Sequence, residues 1–247
     1  MTSYQTFYQL HYQSNPFLLA NAWNAKSAQL IEATGFPAIG TSSGAIADSL
    51  GYADGEKIPF KELLYIIQRI KAATTIPLSV DFERGYTNDL SVINDHIQQL
   101  LDLGVAGINL EDAEGESVYL RKLESIKNYL ARTGQQLFIN ARTDAFLQKL
   151  PEPFETVIRR AKLYRDAGAD GLFVTGIGDP AVISAITSAV SLPVNIVGGP
   201  NLATVESLAK AGIKRISMAV FVYRATYQNL EKAIKSVNTS QTLIPLF

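Results

Sequence analysis

Cysteine is absent from this chain of 247 residues. Its absence excludes disulfide bonds, thiolate metal sites and cysteine nucleophiles. Histidine is almost absent as well, because the chain contains only His11 and His96. A zinc site built from several imidazoles is therefore not expected, and we assign no chemistry to either histidine.

Charge of one sign and long apolar runs are also lacking. The 22 basic and 23 acidic residues leave a formal net charge of −1, which excludes a basic field for nucleic acid and a polybasic membrane anchor. No run of about 20 apolar residues is present to form a transmembrane helix, and the N-terminus lacks the layout of a signal peptide. We expect a cytoplasmic protein with a small-molecule substrate and no nucleic-acid or membrane partner.

Short apolar runs recur along the chain, and longer amphipathic segments separate them. Each run is rich in β-branched or aromatic residues and ends at glycine, proline or polar residues, which is typical of a buried parallel strand. The runs predict eight strands, over residues 17–23, 38–43, 78–83, 107–112, 138–145, 171–176, 194–198 and 215–220.

The segments between these runs carry helix signals. Apolar residues recur at helical spacing over residues 89–104. Residues 153–168 begin with proline and end with glycine, as helices often do. Residues 201–212 are predicted as a further helix with Asn201 as its N-cap. Three helices end at glycine about four residues before the next strand, which is typical of a repeated βα unit.

Eight βα units in about 250 residues predict an α/β fold, the TIM (β/α)8 barrel. An open, doubly wound sheet is the alternative, but no Gly-x-Gly-x-x-Gly follows the first strand. No linker or composition break appears, so residues 1–247 are predicted to form a single domain, with residues 1–15 as an N-terminal arm or capping helix. The apolar tip of residues 238–247 suggests packing on a neighbouring subunit.

Polar residues follow the predicted strands at the end where a barrel enzyme holds its active site. Alternation along a strand places Asp81 and Glu83 on one face, and Arg142 and Asp144 on one face of another strand. The polar set comprises Thr41, Ser42, Ser43, Gly44, Asp54, Asp81, Glu83, Asn109, Glu111, Asp112, Asn140, Arg142, Asp144 and Asn195.

Oxygen ligands without cysteine or a histidine cluster suit a hard cation, Mg²⁺ or Mn²⁺. Mg²⁺ keeps several waters, so a few carboxylates can hold it while a substrate supplies further oxygens. Arg142 can then bind a carboxylate or phosphate in bidentate fashion. Asp112 and Asp144, in contrast, are predicted to act as helix N-caps or strand-end residues.

Structural roles stay open for part of this set. Asp81 and Glu83 can form ion pairs with Arg84 or Arg142 in place of binding a metal. Residues 41–43 can cap the segment that follows them.

Five segments together resemble the isocitrate lyase/phosphoenolpyruvate mutase superfamily: "SSGAIADSLGYADGE", "SVDFERGYTND", "GINLEDAEG", "INARTDAF" and "VNIVGG". They occur in the family's order, and the resemblance extends from about Ala20 to Arg224. It implies a TIM barrel, bound Mg²⁺, and a homodimer or homotetramer whose subunits often exchange the last helix. It also implies chemistry on the C–C or P–C bond beside a 2-oxo acid, through an enolpyruvate species.

The resemblance implies roles for the matching acids. Asp81 matches the acid that binds the metal most directly, and Glu83 matches a second acid, usually aspartate, that holds metal-bound water. Asp54 and Glu111 match two further acids of that outer shell. Arg142 matches the arginine that binds the substrate and steadies developing charge, so Asp81 and Arg142 are the predicted catalytic residues.

The remaining matches concern the substrate. Ser42, Ser43 and Gly44 fall where main-chain amides and a hydroxyl bind the 2-oxo carboxylate. Asn195 matches an asparagine near the substrate.

The chain also departs from the lyase members. They carry a Lys-Lys/Arg-Cys-Gly-His loop after strand 4, whereas this chain has "EDAEGESVYLRKLESIK" and no cysteine. A mutase-type gating loop is not evident, and the strand 6 glutamate is absent from "GLFVTGIGD". The metal and pyruvate half of the site is therefore predicted to be intact, and cleavage of isocitrate or methylisocitrate is not expected.

Three functions stand as hypotheses. The first is a Mg²⁺-dependent enzyme acting on a small 2-oxo acid or phosphonate, such as oxaloacetate or phosphonopyruvate, with water as proton donor. The second is a catalytically weak or inactive barrel that binds 2-oxo acids. The third, a Schiff-base aldolase, is disfavoured because Lys57, Lys61 and Lys149 lie in predicted loops or helices and no predicted strand carries a lysine.

Overall fold

The computed structural model describes residues 1–199 and 202–247. Within them, eight parallel strands close into a barrel in chain order, and the last strand pairs with the first. The strands are β1 (Phe17–Ala22), β2 (Ile39–Thr41), β3 (Leu78–Asp81), β4 (Gly107–Glu111), β5 (Phe138–Thr143), β6 (Gly171–Val174), β7 (Val194–Val197) and β8 (Arg215–Ser217). The TIM barrel is confirmed, and each predicted strand is present but ends one to three residues earlier than predicted.

Helices surround the barrel and connect its strands. Within the described residues they are α1 (Ser3–Leu10), α2 (Ala25–Ala33), α3 (Ser43–Ser49), α4 (Phe60–Ala73), α5 (Leu90–Asp102), α6 (Glu116–Thr133), α7 (Pro153–Asp166), α8 (Pro180–Ala189), α9 (Val205–Lys210) and α10 (Phe221–Ser240), followed by a 3-10 turn, Ile244–Leu246. None of these described helices combines the length and apolar character needed to span a membrane.

The helices predicted from the sequence are present in the structure, with one correction. In α5, Ile93, Ile97 and Leu100 form the buried face that their spacing predicts. The prediction of Asn201 as the N-cap of α9 was wrong, because α9 starts four residues later and Thr204 caps it by accepting a hydrogen bond from the Ser207 amide. Asn201 itself lies outside the described residues.

Helix α1 packs against the amino-terminal ends of the strands. Phe7 is fully buried and meets Phe17 and Phe138 edge to face, with ring centroids 6.2 and 5.5 Å apart. His11 stacks on Phe138 with the ring centroids 4.0 Å apart. This aromatic cluster covers one end of the barrel, so the functional cavity lies at the other end.

Helix α10 is 20 residues long, yet Tyr223 is its one buried residue. Phe221, Tyr227, Leu230 and Ile234 all expose large apolar side chains. The apolar residues of the tail, up to Phe247, are exposed too.

Candidate active site

A cavity of about 690 Å³ opens at the carboxyl ends of the barrel strands. Six of the predicted site residues line it: Ser42, Ser43, Gly44, Asp54, Asp81 and Arg142. Three others, Glu83, Glu111 and Asn195, do not line the cavity. Six of the residues predicted by the strand-end rule thus line one cavity, and the contacts below show how each is held there.

Asp81, the last residue of β3, is held from one side. Its Oδ2 atom accepts hydrogen bonds from the Ser43 hydroxyl at 2.8 Å and the Ser43 amide at 3.3 Å. Its own amide donates to the Thr41 hydroxyl at 2.8 Å. Its Oδ1 atom is buried and accepts no hydrogen bond from any described residue. One carboxylate oxygen is therefore fixed while the other is left for a ligand.

Arg142, on β5, is held by two acids. Its Nε and Nη2 donate to the two carboxylate oxygens of Asp144 at 2.8 and 2.9 Å, and its Nη1 lies 2.9 Å from Glu111 Oε2. Burial lowers the pKa of Arg142, but the hydrogen bond with Asp144 and the charge of Glu111 outweigh it and raise that pKa overall. Arg142 therefore carries a permanent charge in a fixed position on the cavity wall.

The ion pairs that Arg84 and Arg142 form in the structure are not those that the sequence left open. Neither Asp81 nor Glu83 forms an ion pair with an arginine in the described residues, because Arg142 is paired with Glu111 and Asp144, and Arg84 is paired with Glu56 at 3.1 Å.

Glu83 follows β3 with a left-handed backbone, φ 47°. Its side chain is buried and accepts a hydrogen bond from the Tyr86 hydroxyl at 2.6 Å. Burial raises its pKa to about 8; the Tyr86 hydrogen bond lowers that pKa, and the charges of Asp81 and Asp54 raise it. Glu83 thus lies close to other acids, and no described residue gives it a positively charged partner.

Glu111, the last residue of β4, shows the same crowding of acids. Burial raises its pKa to about 7, and the charges of Asp81 and Asp144 add to that increase. Arg142 opposes it. Even so, the described residues contain no group of three or more acidic or histidine side chains already gathered as a set of metal ligands.

The loop between α3 and α4 brings Asp54 to the cavity. A Cβ at Gly44 would lie 3.0 Å from Asp54 Oδ2, so glycine allows this close approach. Glu56 ties the same loop to the turn after β3, because its Oε1 accepts the amides of Arg84 and Tyr86 at 2.8 Å each. The acids of the two loops are therefore held in one arrangement.

Ser42 and Asn195, two of the residues predicted to bind the substrate, have different surroundings in the structure. Ser42 is the N-cap of α3, and its hydroxyl accepts the Ala45 amide at 3.3 Å, so its side chain has the capping role left open by the sequence. Asn195 lies beneath the cavity, where its Oδ1 accepts from the Ser217 hydroxyl at 3.1 Å. Ser217 lines the cavity above it.

Asp112 and Asp144 cap no described helix and instead support Arg142. Asp112 is buried, and its Oδ2 accepts from Arg160 and from the Tyr164 hydroxyl, both at 2.7 Å. Its Oδ1 accepts the Asp144 amide at 3.2 Å. This chain of contacts runs from α7 through the ends of β4 and β5 to the guanidinium in the cavity.

Sequence reasoning missed part of the cavity wall. Asp48, Tyr223 and Arg224 line it, and the Tyr223 hydroxyl donates to Asp48 at 2.5 Å. Tyr223 and Arg224 lie in the first turn of α10, directly after β8. The rule that places a barrel site at the βα loops could have found them had it been extended to the helix starts. Asn109 also lines the cavity, although it had been noted only as a strand-end residue.

Comparison with known proteins identifies the family. A family model described as phosphoenolpyruvate phosphomutase matches residues 7–238. The chain is 34% identical over 243 residues to an uncharacterised protein of Mycobacterium tuberculosis H37Rv, with 96% of this chain and 91% of that protein covered. It is 34% identical over 193 residues to an oxaloacetate decarboxylase of Bradyrhizobium diazoefficiens, with 73% of this chain and 65% of the relative covered.

A crystal structure from Burkholderia cenocepacia J2315, described as "a putative phosphonomutase", shares the fold. It aligns with a TM-score of 0.90 at 33% identity, covering 94% of this chain and 99% of that one. The family match spans most of the barrel and includes every strand that contributes to the cavity. The chain therefore belongs to the phosphoenolpyruvate mutase/isocitrate lyase superfamily and is an enzyme of that superfamily of lyases, hydrolases and mutases.

Proposed function

We propose that this protein is a Mg²⁺- or Mn²⁺-dependent enzyme that acts on the C–C or P–C bond beside the 2-oxo group of a small acid. Oxaloacetate and phosphonopyruvate are the substrates to consider first. The observation that carries the proposal is Asp81, whose Oδ1 is buried and free of hydrogen bonds in the described residues, in a cavity that Arg142 also lines. The similarity to an oxaloacetate decarboxylase supports the same substrate class.

The residues present fit a hard cation. The candidate ligands are all carboxylate oxygens, which Mg²⁺ and Mn²⁺ prefer, and the unpartnered Asp81 Oδ1 leaves one of them available. Asp81 would hold the ion directly, while Asp54, Glu83 and Glu111 would hold its waters. When bound, such an ion supplies a Lewis acid that polarises the 2-oxo group and stabilises developing negative charge.

Arg142 and Arg224 supply the positive charge of the cavity wall. Arg142 is oriented by Asp144 and Glu111, so a substrate meets it already in place and loses little free energy in ordering it. Arg224 lies in the first turn of α10 and also lines the cavity. Two cations on one cavity suit a substrate with two acidic groups, as oxaloacetate and phosphonopyruvate have.

Solvent is the proton donor in this proposal. The loop after β4 is limited to residues 112–115, since α6 begins at Glu116. Glu114 is held within that loop by Lys122 at 2.9 Å, so the loop has neither the length nor a free acid to close over the cavity. Decarboxylation or hydrolysis fits this open site better than cleavage of isocitrate, which needs a side chain to act on the second fragment.

A barrel that binds 2-oxo acids without turnover is the second candidate. The observation in its favour is the same short loop, because it leaves the substrate in contact with water and without a side-chain acid. A Schiff-base aldolase stays disfavoured, since no lysine appears among the described residues that line the cavity.

The test is a panel of 2-oxo acids and phosphonates assayed with Mg²⁺, with Mn²⁺ and with a chelator. Turnover of at least one compound should require the ion. Asp81→Asn should lower kcat/KM more than about 100-fold, since even residues one step removed from a metal commonly cost 10- to 100-fold. Asp95→Asn is the matched control, because Asp95 is exposed on α5 and does not line the cavity.

The outcomes separate the candidates. Metal-independent turnover, or native kcat/KM in Asp81→Asn, would contradict the proposal. Binding of oxalate with Mg²⁺ and no turnover of any compound would favour the non-catalytic barrel.

A further inference from the structure

An arginine is buried inside the barrel beneath the cavity. Arg215, on β8, is 1% exposed and lies two residues before Ser217, which lines the cavity. Its guanidinium carbon lies 5.8 Å from the ring centroid of Phe7. Barrel interiors are usually filled by branched apolar side chains, so a charged group at this depth needs a polar reason to be there.

Arg215 has two polar partners, the Asn109 side chain and, more distantly, the Ser217 hydroxyl, which accepts from Arg215 Nε at 3.4 Å. Arg215 Nη2 donates to Asn109 Oδ1 at 3.1 Å, and Asn140 Nδ2 donates to the same oxygen at 2.9 Å. Gly171 on the next strand permits this arrangement, because a Cβ there would lie 2.9 Å from Asn140 Oδ1. The oxygen of the Asn109 amide is thus held by two donors.

These contacts decide which way the Asn109 amide faces. A guanidinium has only donors, so the atom that faces Arg215 must be the amide oxygen. The amide nitrogen then points away from the barrel interior, and Asn109 lines the cavity together with Asp81 and Arg142. Within residues 1–199 and 202–247, Asn109 Nδ2 donates to no protein group.

We propose that Asn109 is a substrate-binding residue, that its side-chain nitrogen donates a hydrogen bond to an anionic oxygen of a bound 2-oxo acid, and that Arg215 is the positioning residue that holds the amide in this orientation. The inference rests on the proposed function for the class of substrate. It adds a neutral donor to a site where the predicted acids would hold a cation and Arg142 would meet an acidic group.

Arg215 acts through Asn109 because it cannot reach the substrate itself. Burial lowers its pKa to about 9, opposed by the charge of Asp81, so Arg215 stays cationic at neutral pH. A cation bonded to the amide oxygen draws electron density from the amide and strengthens its N–H groups as donors. A neutral residue at position 215 would lose both the orientation and this polarisation.

The test measures oxalate binding by titration calorimetry at saturating Mg²⁺, together with Mg²⁺ binding alone. Asn109→Asp keeps the oxygen that Arg215 and Asn140 hold and exchanges the cavity-facing donor for an acceptor. A lost hydrogen bond to a charged group corresponds to about a 10- to 100-fold weaker Kd for oxalate. Asn109→Ala, which adds no charge, should weaken oxalate binding about 10-fold while leaving Mg²⁺ binding within about twofold.

The positioning role is tested at Arg215 with thermal unfolding followed in parallel. Arg215→Met should weaken oxalate binding about 10-fold, because the Asn109 amide becomes free to rotate. Arg215→Lys, which keeps the charge and a donor, should recover most of the affinity. If Arg215→Met does not fold, Arg215→Lys can still be compared with the Asn109 variants. A lysine variant that binds oxalate as weakly as Asn109→Ala would contradict the orienting role of Arg215.

Native oxalate affinity in both Asn109 variants would overturn this inference and leave the proposed function intact. Failure of the unaltered protein to bind oxalate with Mg²⁺ would overturn both.

Discussion

At the residue scale, the charged side chains around the cavity differ in how they are held. Arg142 has a fixed place because Asp144 and Glu111 hold it, whereas Asp81 keeps one oxygen without a hydrogen bond in the described residues. Glu83, where the family usually has aspartate, turns its longer side chain to the Tyr86 hydroxyl rather than to an arginine. Whether Glu83 also holds metal-bound water stays a prediction.

His11 provides a prediction at this scale. It is buried between aromatic rings, and burial lowers its pKa to about 3, with the charge of Arg215 adding to that decrease. Above pH 6.5 both folded and unfolded states hold it neutral. As the pH falls below 6.5, His11 is protonated in the unfolded state but stays neutral in the folded state. The free energy of unfolding therefore decreases by roughly 1.4 kcal/mol per pH unit.

The measurement is urea unfolding of the native protein and His11→Phe at pH 7 and pH 4.5. The native protein should lose about 3 kcal/mol more than the variant over this range. His96 is present in both proteins, so its own titration cancels in the comparison. An equal loss in the two proteins would contradict the prediction.

At the element scale, α6 holds the turn after β3 in place. Lys122 on α6 has a side chain that is 4% exposed, and its Nζ donates to the Arg84 carbonyl at 2.7 Å and to Glu114 at 2.9 Å. One lysine thus joins the turns after β3 and β4, which carry Glu83 and Glu114. The rigidity of the predicted metal site depends on a helix that contributes no residue to the cavity lining.

Lys122→Met should destabilise the protein by about 2 kcal/mol, because it leaves a partly buried carbonyl and an acid without their donor. Lys127→Met on the same helix is the control. Its ion pair with Asp170 is longer, 3.4 Å, and the lysine is 29% exposed, so the loss should stay under about 1 kcal/mol. Urea unfolding gives both values, and amide hydrogen exchange should accelerate over residues 83–86 only in Lys122→Met. Equal losses in the two variants would count against this role of Lys122.

At the scale of the whole molecule, the barrel does not cover the apolar side chains of α10. Leu230 and Ile234 are 49% and 57% exposed, and the tail beyond them is exposed as well. Contiguous exposed apolar surface of this kind marks contact with another molecule. The homodimer or homotetramer with an exchanged last helix therefore stays a prediction, and α10 is where it can be tested.

Ile234→Glu should shift the protein to a smaller assembly in size-exclusion chromatography with light scattering, because it places a charge in the expected subunit contact. Gln228→Glu on the same helix adds the same charge at an exposed polar position and should leave the mass unchanged. A native protein that already has the mass of one chain would show the oligomer prediction to be wrong.

Much of the barrel could be read from the chain because strands and helices follow local patterns. Apolar runs bounded by glycine or polar residues predicted all eight strands. The rule that barrel sites lie at the carboxyl ends of the strands predicted that Asp81 and Arg142 lie close together, and both line one cavity. The errors lie at boundaries, as with the N-cap of α9, because a capping residue is selected by where the neighbouring strand allows the helix to begin.

The order and spacing of side-chain types were enough to predict the fold, the family and six of the nine predicted site residues that line the cavity. Only the tertiary structure decided their partners. Arg142 meets Glu111, Asp112 meets Arg160 and Tyr164, and Asn109 meets Arg215, which lies 106 positions away in the chain. Barrel closure and side-chain direction create these contacts, and neither is encoded in any local stretch of residues.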